Sequence, residues 1–257
     1  MSILGFIEAD KKEDQKNALL SEAWDMKNES HRIASERRNQ AMKACNSLCM
    51  RKNATIENLR GFKDDLQTII NLELIIDDLE LISVKEVNIK RIENYKLYQT
   101  APVTRQTNIA ALVELINPFT GGIGGIIERE AEKSLQRADY EYELAKQVQS
   151  SNMAEAEIYE QIAKLAEMQK QILSKLNGFF NHGRTFVRDV IEKNGQIKSN
   201  YSEEERKKIT LMVQCAKCMN AFLDVEFMNQ ENKLTEQAKK LINVTERFLQ
   251  TSIGQLD

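Results

Sequence analysis

The side chains with evident chemical capacity are four cysteines, two histidines and several paired carboxylates. The cysteines come as Cys45/Cys49 and Cys215/Cys218. On a helix, spacings of four and three residues put both thiols of a pair on one side. Four converging thiolates would suit tetrahedral zinc. Structural zinc pairs sit on tight turns, however, and neither pair has turn residues between its cysteines. All four fall on apolar seams, so the expectation is buried, unligated cysteine and no metal. An in-helix Cys-x-x-Cys is also a poor redox context.

The histidines give little more. His31, in "NESHRIASERR", reads as exposed helix surface, and His182 reads as a loop residue between Asn181 and Gly183. Neither belongs to a recognisable nucleophile motif. Asp64/Asp65 and Asp77/Asp78 are adjacent pairs. Neighbouring helical residues point about 100° apart, so these are not ready-made metal pairs. Neither histidine has Glu three residues before it, as helical di-iron sites require. "GGIGG" lacks the closing Gly-Lys-Ser/Thr of a phosphate loop. Ile127 stands where the last glycine of a dinucleotide loop would be. No catalytic residue, cofactor or small-molecule substrate is expected.

The elements that would position such groups read as helices. Charged residues make up 29% of the 257 residues and aromatics 6%, and there are only two prolines. That balance suits long helices. The net charge of −3 provides no basic excess for sequence-independent nucleic-acid binding. "SERRNQAMK" is read as a solvated helix face. "MSILGFIEADKK" lacks the basic start of a secretory signal, and no run reaches the ~20 apolar residues of a simple membrane span. Four cysteines give no dense disulfide framework, which favours a reducing, cytoplasmic setting.

A first helix is expected over about 12–61, bent at Gly61, with a stripe of Leu20, Ala34, Ala41, Cys45, Leu48, Lys52, Ile56 and Leu59. A second, apolar on more than half its circumference, is expected over 64–99, and a short one over 106–116. The longest runs from Ile126 to about 177, with Ile158, Ile162, Leu165, Ile172 and Leu176 on one seam that Gln169 interrupts. At 1.5 Å per residue it would be roughly 75 Å long, which favours an elongated molecule. "NGFFNHGRTF" reads as an interruption, followed by a short helix over 184–193 closed by Asn194-Gly195. Ser202 and Glu205 form a capping-box signature ahead of a last helix over 203–250, bent near "MNQEN". Within it Glu203–Lys207, Glu204–Lys208 and Glu236–Lys240 have the favourable i,i+4 order.

One stretch differs from all of this. Pro102, Pro118, Gly121, Gly122, Gly124 and Gly125 punctuate a segment in which Glu114 is the only charge between Asn108 and Glu128. They read as a hinge. Between them lie Ile109, Leu112, Val113, Leu115, Ile116, Phe119, Ile123, Ile126 and Ile127. Burying these nine is worth roughly 10–25 kcal/mol as an upper bound. The hairpin should therefore pack internally, meet partner subunits or enter lipid.

The expected fold is all-α: an elongated antiparallel bundle or coiled coil of about five helices with an apolar Gly/Pro-rich hairpin near mid-chain. It divides into 1–101, 102–127 and 128–257 as parts of one continuous bundle. In layout it is similar to helical pore-forming toxins of the cytolysin A class; no motif of that class maps residue by residue onto this chain. The expected function is a non-enzymatic assembly or scaffold protein, a homo-oligomer or partner-binding protein, whose hairpin contacts partners or a membrane surface peripherally. The alternatives are a membrane-permeabilising helical effector and an enzyme with an unrecognised site.

Overall fold

The computed structural model describes residues 3–69 and 123–252. The fold is an all-α helical bundle. Among the described residues there are four α-helices: α1 (Ile3–Gln67), α2 (Ile123–Asn194), α3 (Glu203–Asp224) and α4 (Glu236–Ser252). A one-turn 3₁₀ helix, Lys198–Asn200, links α2 to α3. The only extended pairing among them is a single bridge between Met228 and Leu234.

The expected helices at 70–99 and 106–116 lie outside the described residues. So do Asp77, Asp78, Ile109, Leu112, Val113, Leu115, Ile116, Phe119, Pro102, Pro118, Gly121 and Gly122. Asp64, Asp65 and Leu66, expected to open a second helix, instead close α1.

Contacts group the chain into two units, each drawn from both sides of the 102–127 segment. Unit 1 takes in the described residues of Met1–Arg38 and Asn94–Glu157. Unit 2 takes in those of Asn39–Glu93 and Ile158–Asp257.

In unit 1, α1 packs on α2 through small residues. Ala23, Ser30 and Ala34 are buried on α1, and Ala138, Ala145 and Ala156 on α2. Ser30 Oγ accepts a bond from Asn152 Nδ2 at 3.0 Å, and Tyr142 Oη donates to Glu22 at 3.1 Å.

In unit 2 the seam carries large residues. Positions 41, 45, 48, 52, 55, 59, 62 and 66 alternate by four and three, as a coiled-coil seam requires. Leu59, Phe62 and Leu66 pack with Leu173, Leu176, Phe180 and Val187 of α2 and Met212, Cys215, Met219 and Phe222 of α3 in one buried core. Phe62 and Phe180 meet edge to face with centroids 5.0 Å apart.

Helix direction is fixed by the cross-helix bonds. Bonded α1–α2 pairs differ in number by 120 (Glu22–Tyr142), 122 (Ser30–Asn152 and Thr55–Asn177) and 119 (Asn58–Asn177 and Asp65–Arg184). Lys27, reaching back to Glu141, is the outlier at 114. A constant difference means that α1 and α2 run parallel in each unit. The chain neighbours α2 and α3 run antiparallel, as expected of the bundle. Gln169 reaches Phe222, Gly183 abuts Met212, and Asn194 bonds Glu205, so one number falls as the other rises.

Several expected breaks are absent. Gly61 neither ends nor caps α1, which continues to Gln67; a Cβ there would meet the Arg184 guanidinium, so the missing side chain makes room for Arg184 to reach Asp65. "NGFFNHGRTF" lies inside unbroken α2, and the separate helix over 184–193 is part of it. A mid-helix glycine costs roughly 1 kcal/mol against alanine. Burial of Leu176, Phe180 and Val187 offsets that, and Gly183 leaves space for Met212.

The expected last helix is two helices. Val225–Thr235 is a loop in which Asn229 Oδ1 accepts from the Glu231 and Lys233 amides, and Asn232 takes a left-handed φ of 60°. Thr235 then caps α4, its Oγ1 accepting from the Ala238 amide at 3.1 Å.

The caps at the other turn stand as expected. Gly195 has φ 76° and its amide bonds the Ile191 carbonyl. Ser202 and Glu205 form the reciprocal capping box of α3. Glu203–Lys207 and Glu204–Lys208 pair as read, whereas Glu236 pairs with Lys239 rather than Lys240.

Candidate functional site

The polar side chains inside unit 2 lie along its helix boundaries. Asn177 is 2% exposed. Its Nδ2 donates to Thr55 Oγ1 and to the Leu173 carbonyl, both at 2.7 Å, and its Oδ1 accepts from Asn58 Nδ2 at 2.7 Å. Thr55 in turn donates to the Arg51 carbonyl at 2.8 Å. About two turns further along α2, Asp65 Oδ2 accepts from Arg184 Nε at 2.6 Å and Arg188 Nε at 3.0 Å. Gln169, which interrupts the apolar seam in sequence, is buried and donates to the Phe222 carbonyl at 2.9 Å near the end of α3. A polar residue in such a seam specifies register, because another alignment would strand it unpaired.

The thiols do not converge. Cys45 and Cys49 lie half-buried on α1; on α3, Cys215 is buried and Cys218 half-buried. Among the described residues no group of three or more His, Cys, Asp or Glu side chains is placed to hold a metal ion. Burial pushes the Cys45, Cys215 and Cys218 thiols up from their ordinary values. The Thr245 hydroxyl of α4 faces Cys218 and partly opposes that rise, though it makes no hydrogen bond of normal geometry. A thiol held in its neutral form is a weak nucleophile and a weak metal ligand.

Lys52 occupies a seam position on α1. Burial pulls its ammonium down from the ordinary range, against the opposing influence of nearby Cys49 and Asp224.

His31 is exposed, as expected. His182 is also exposed, but on α2 rather than in a loop, because α2 continues through Gly183. Leu20, read as part of the α1 stripe, is 38% exposed and lies off the seam, whose buried residue at that level is Ala23. Ile158, Ile162 and Leu165 are half-buried, and Ala156, Tyr159 and Ala166 occupy the buried line instead.

Of the apolar hairpin residues, Ile123, Ile126 and Ile127 fall in the opening turns of α2, as do Gly124 and Gly125. The helix thus starts three residues before its expected Ile126. No helix among the described residues is long and apolar enough to cross a membrane.

Sequence reading did not single out Thr55, Asn58, Asn177, Asp65 or Arg184 as partners. The signal was there: continuing the four–three spacing past Leu59 reaches Phe62 and Leu66, and the same spacing on α2 reaches Leu173, Asn177, Phe180 and Arg184. No family model, curated protein or solved structure matches the chain.

Proposed function

We propose that the chain is a non-enzymatic helical assembly protein that uses the apolar stretch 109–127 to contact partner subunits or a membrane surface from the cytoplasmic side. One observation carries this reading. The buried polar groups of Ser30, Thr55, Gln169 and Asn177 all bond, and the bonds from Asn152, Gln169 and Asn177 join one helix to another. Their chemistry is thus committed to holding helices in register. An apolar stretch of nine large side chains then supplies the remaining surface for association.

Ile123→Asp and Ile126→Asp test it. The expected result is loss of liposome flotation or self-association by native mass measurement, with little change in melting temperature. If both substitutions instead lower the melting temperature sharply, and wild type neither floats nor associates, the stretch is an internal cap and the proposal is refuted. Dye leakage in the flotation sample would instead favour a permeabilising effector.

A further inference from the structure

Among the described residues of unit 1 the fully buried seam positions are small, with Leu19, Met26, Ile33, Leu135 and Val148 half-buried beside them, while Leu20, Trp24, Tyr140 and Leu144 are exposed. Trp24, the chain's single tryptophan, is 67% exposed.

Helical angles put Leu20, Trp24 and Leu144 on one face, with Tyr140 roughly 40° further round α2. At about 100° per residue, Trp24 lies roughly 100° to one flank of buried Ala23, and Leu20 roughly 60° to the same flank. On α2, Leu144 lies roughly 100° to the opposite flank of buried Ala145. Parallel helices that face each other bring opposite flanks to the same side. Trp24 and Leu144 also differ by 120 in number, the same difference as the bonded pair Glu22–Tyr142, so they sit at one level.

Along α1 the exposed stripe reads Glu13, Asn17, Leu20, Trp24, Asn28 and His31, in steps of three and four. It is self-complementary when reversed. About position 22, Leu20 exchanges with Trp24, and Glu13 exchanges with His31. Glu13 holds Lys16 through Oε1, which leaves its second oxygen to accept a further bond.

We propose that this face is a homodimerisation surface, with α1 of a second copy lying antiparallel on α1 about a two-fold axis. Each copy then sets Leu20 against its partner's Trp24 and the Glu13 carboxylate against its partner's imidazole at position 31. Leu20, Trp24 and Leu144 offer roughly 300 Å² of apolar surface per copy, under half of the ~800 Å² per partner in a standard interface. The polar ends of the stripe provide a rim. This surface uses none of residues 109–127, so it and the proposed function can fail independently.

Tryptophan emission and sedimentation velocity, measured on the full chain over a wide concentration range, test the proposal. The expected result is a monomer–dimer transition, with the emission moving to the blue and acrylamide quenching falling in step. Leu20→Lys leaves Trp24 in place and should weaken the dimer about tenfold or more, abolishing the spectral shift. Glu13→Lys should weaken it, and Glu13→Lys with His31→Glu should restore it. Circular dichroism checks that each variant keeps its helix content.

A monomer at every concentration would overturn the proposal, whether Trp24 is wet or already shielded. So would a dimer indifferent to Leu20→Lys. A blue shift that requires phosphatidylcholine or phosphatidylserine vesicles and ignores protein concentration would assign the face to lipid instead.

Discussion

Asn177→Ala removes three hydrogen bonds from a position that is almost fully buried. The partners recover unequally. Thr55 keeps its bond to the Arg51 carbonyl, and half-buried Asn58 can turn towards water. Each cross-helix bond is worth about 1 kcal/mol net. The small cavity left beside Leu173, Leu176 and Phe180 adds about 1 kcal/mol, so the expected loss is roughly 2–4 kcal/mol. Pairing Asn177→Leu with Thr55→Val replaces both polar partners with apolar ones of similar size and should recover most of that loss. A double-mutant cycle between Thr55→Val and Asn177→Ala should give a coupling of about 1 kcal/mol. Denaturant unfolding followed by circular dichroism reads wild type and all four variants. A loss below about 0.5 kcal/mol for Asn177→Ala, or zero coupling, would show that the parallel register does not depend on this network.

Two glycines of α2 should respond in opposite directions. Gly178→Ala meets nothing within 4 Å and should stabilise by about 0.5–1 kcal/mol, whereas Gly183→Ala drives a methyl into Met212 and should destabilise by about 1–3 kcal/mol, both read from thermal melts. At the α3 start, Ser202→Ala should cost about 1 kcal/mol in denaturant unfolding. The Ser202 amide holds the Glu205 carboxyl below its usual range. A depressed carboxyl contributes stability above its unfolded value and loses it as pH falls through the folded one. The melting-temperature gap between wild type and Glu205→Gln should therefore be full at neutral pH and close below about pH 4.

How far the sequence could be read depended on the distance over which each signal acts. The Ser202–Glu205 box and the Asn194-Gly195 stop are local, and both stand. The seam from Ala41 to Leu59 is a periodicity within one helix, and it is buried as read, apart from half-buried Cys45 and Lys52. Breaks at Gly61 and Gly183 were misread because the forces that override them come from other helices. Arg184 needs the space over Gly61, and Met212 needs it over Gly183. Helix direction was not legible for a related reason. A heptad stripe is the same in either direction, and it takes cross-helix pairs within one unit, Thr55 with Asn177 and Asp65 with Arg184, to tell parallel from antiparallel. The candidate surface at Trp24 was hidden because Leu20, apolar and near the stripe, was assigned to it. The alanines that displace Leu20 from the seam have meaning only once α2 lies against them.

The constant numbering difference between α1 and α2 also acts as a reading frame. Deleting one residue from α1 between Thr55 and Phe62 would rotate the rest of the helix by about 100° within unit 2 and take Phe62 and Asp65 away from Phe180 and Arg184. A seven-residue change preserves the face but shifts the level by about 10 Å, so it is tolerated only with a matching change in α2 between Asn177 and Phe180. In relatives of this chain, length differences in the two helices should therefore arrive in step and in sevens, as compensated frameshifts do in a gene.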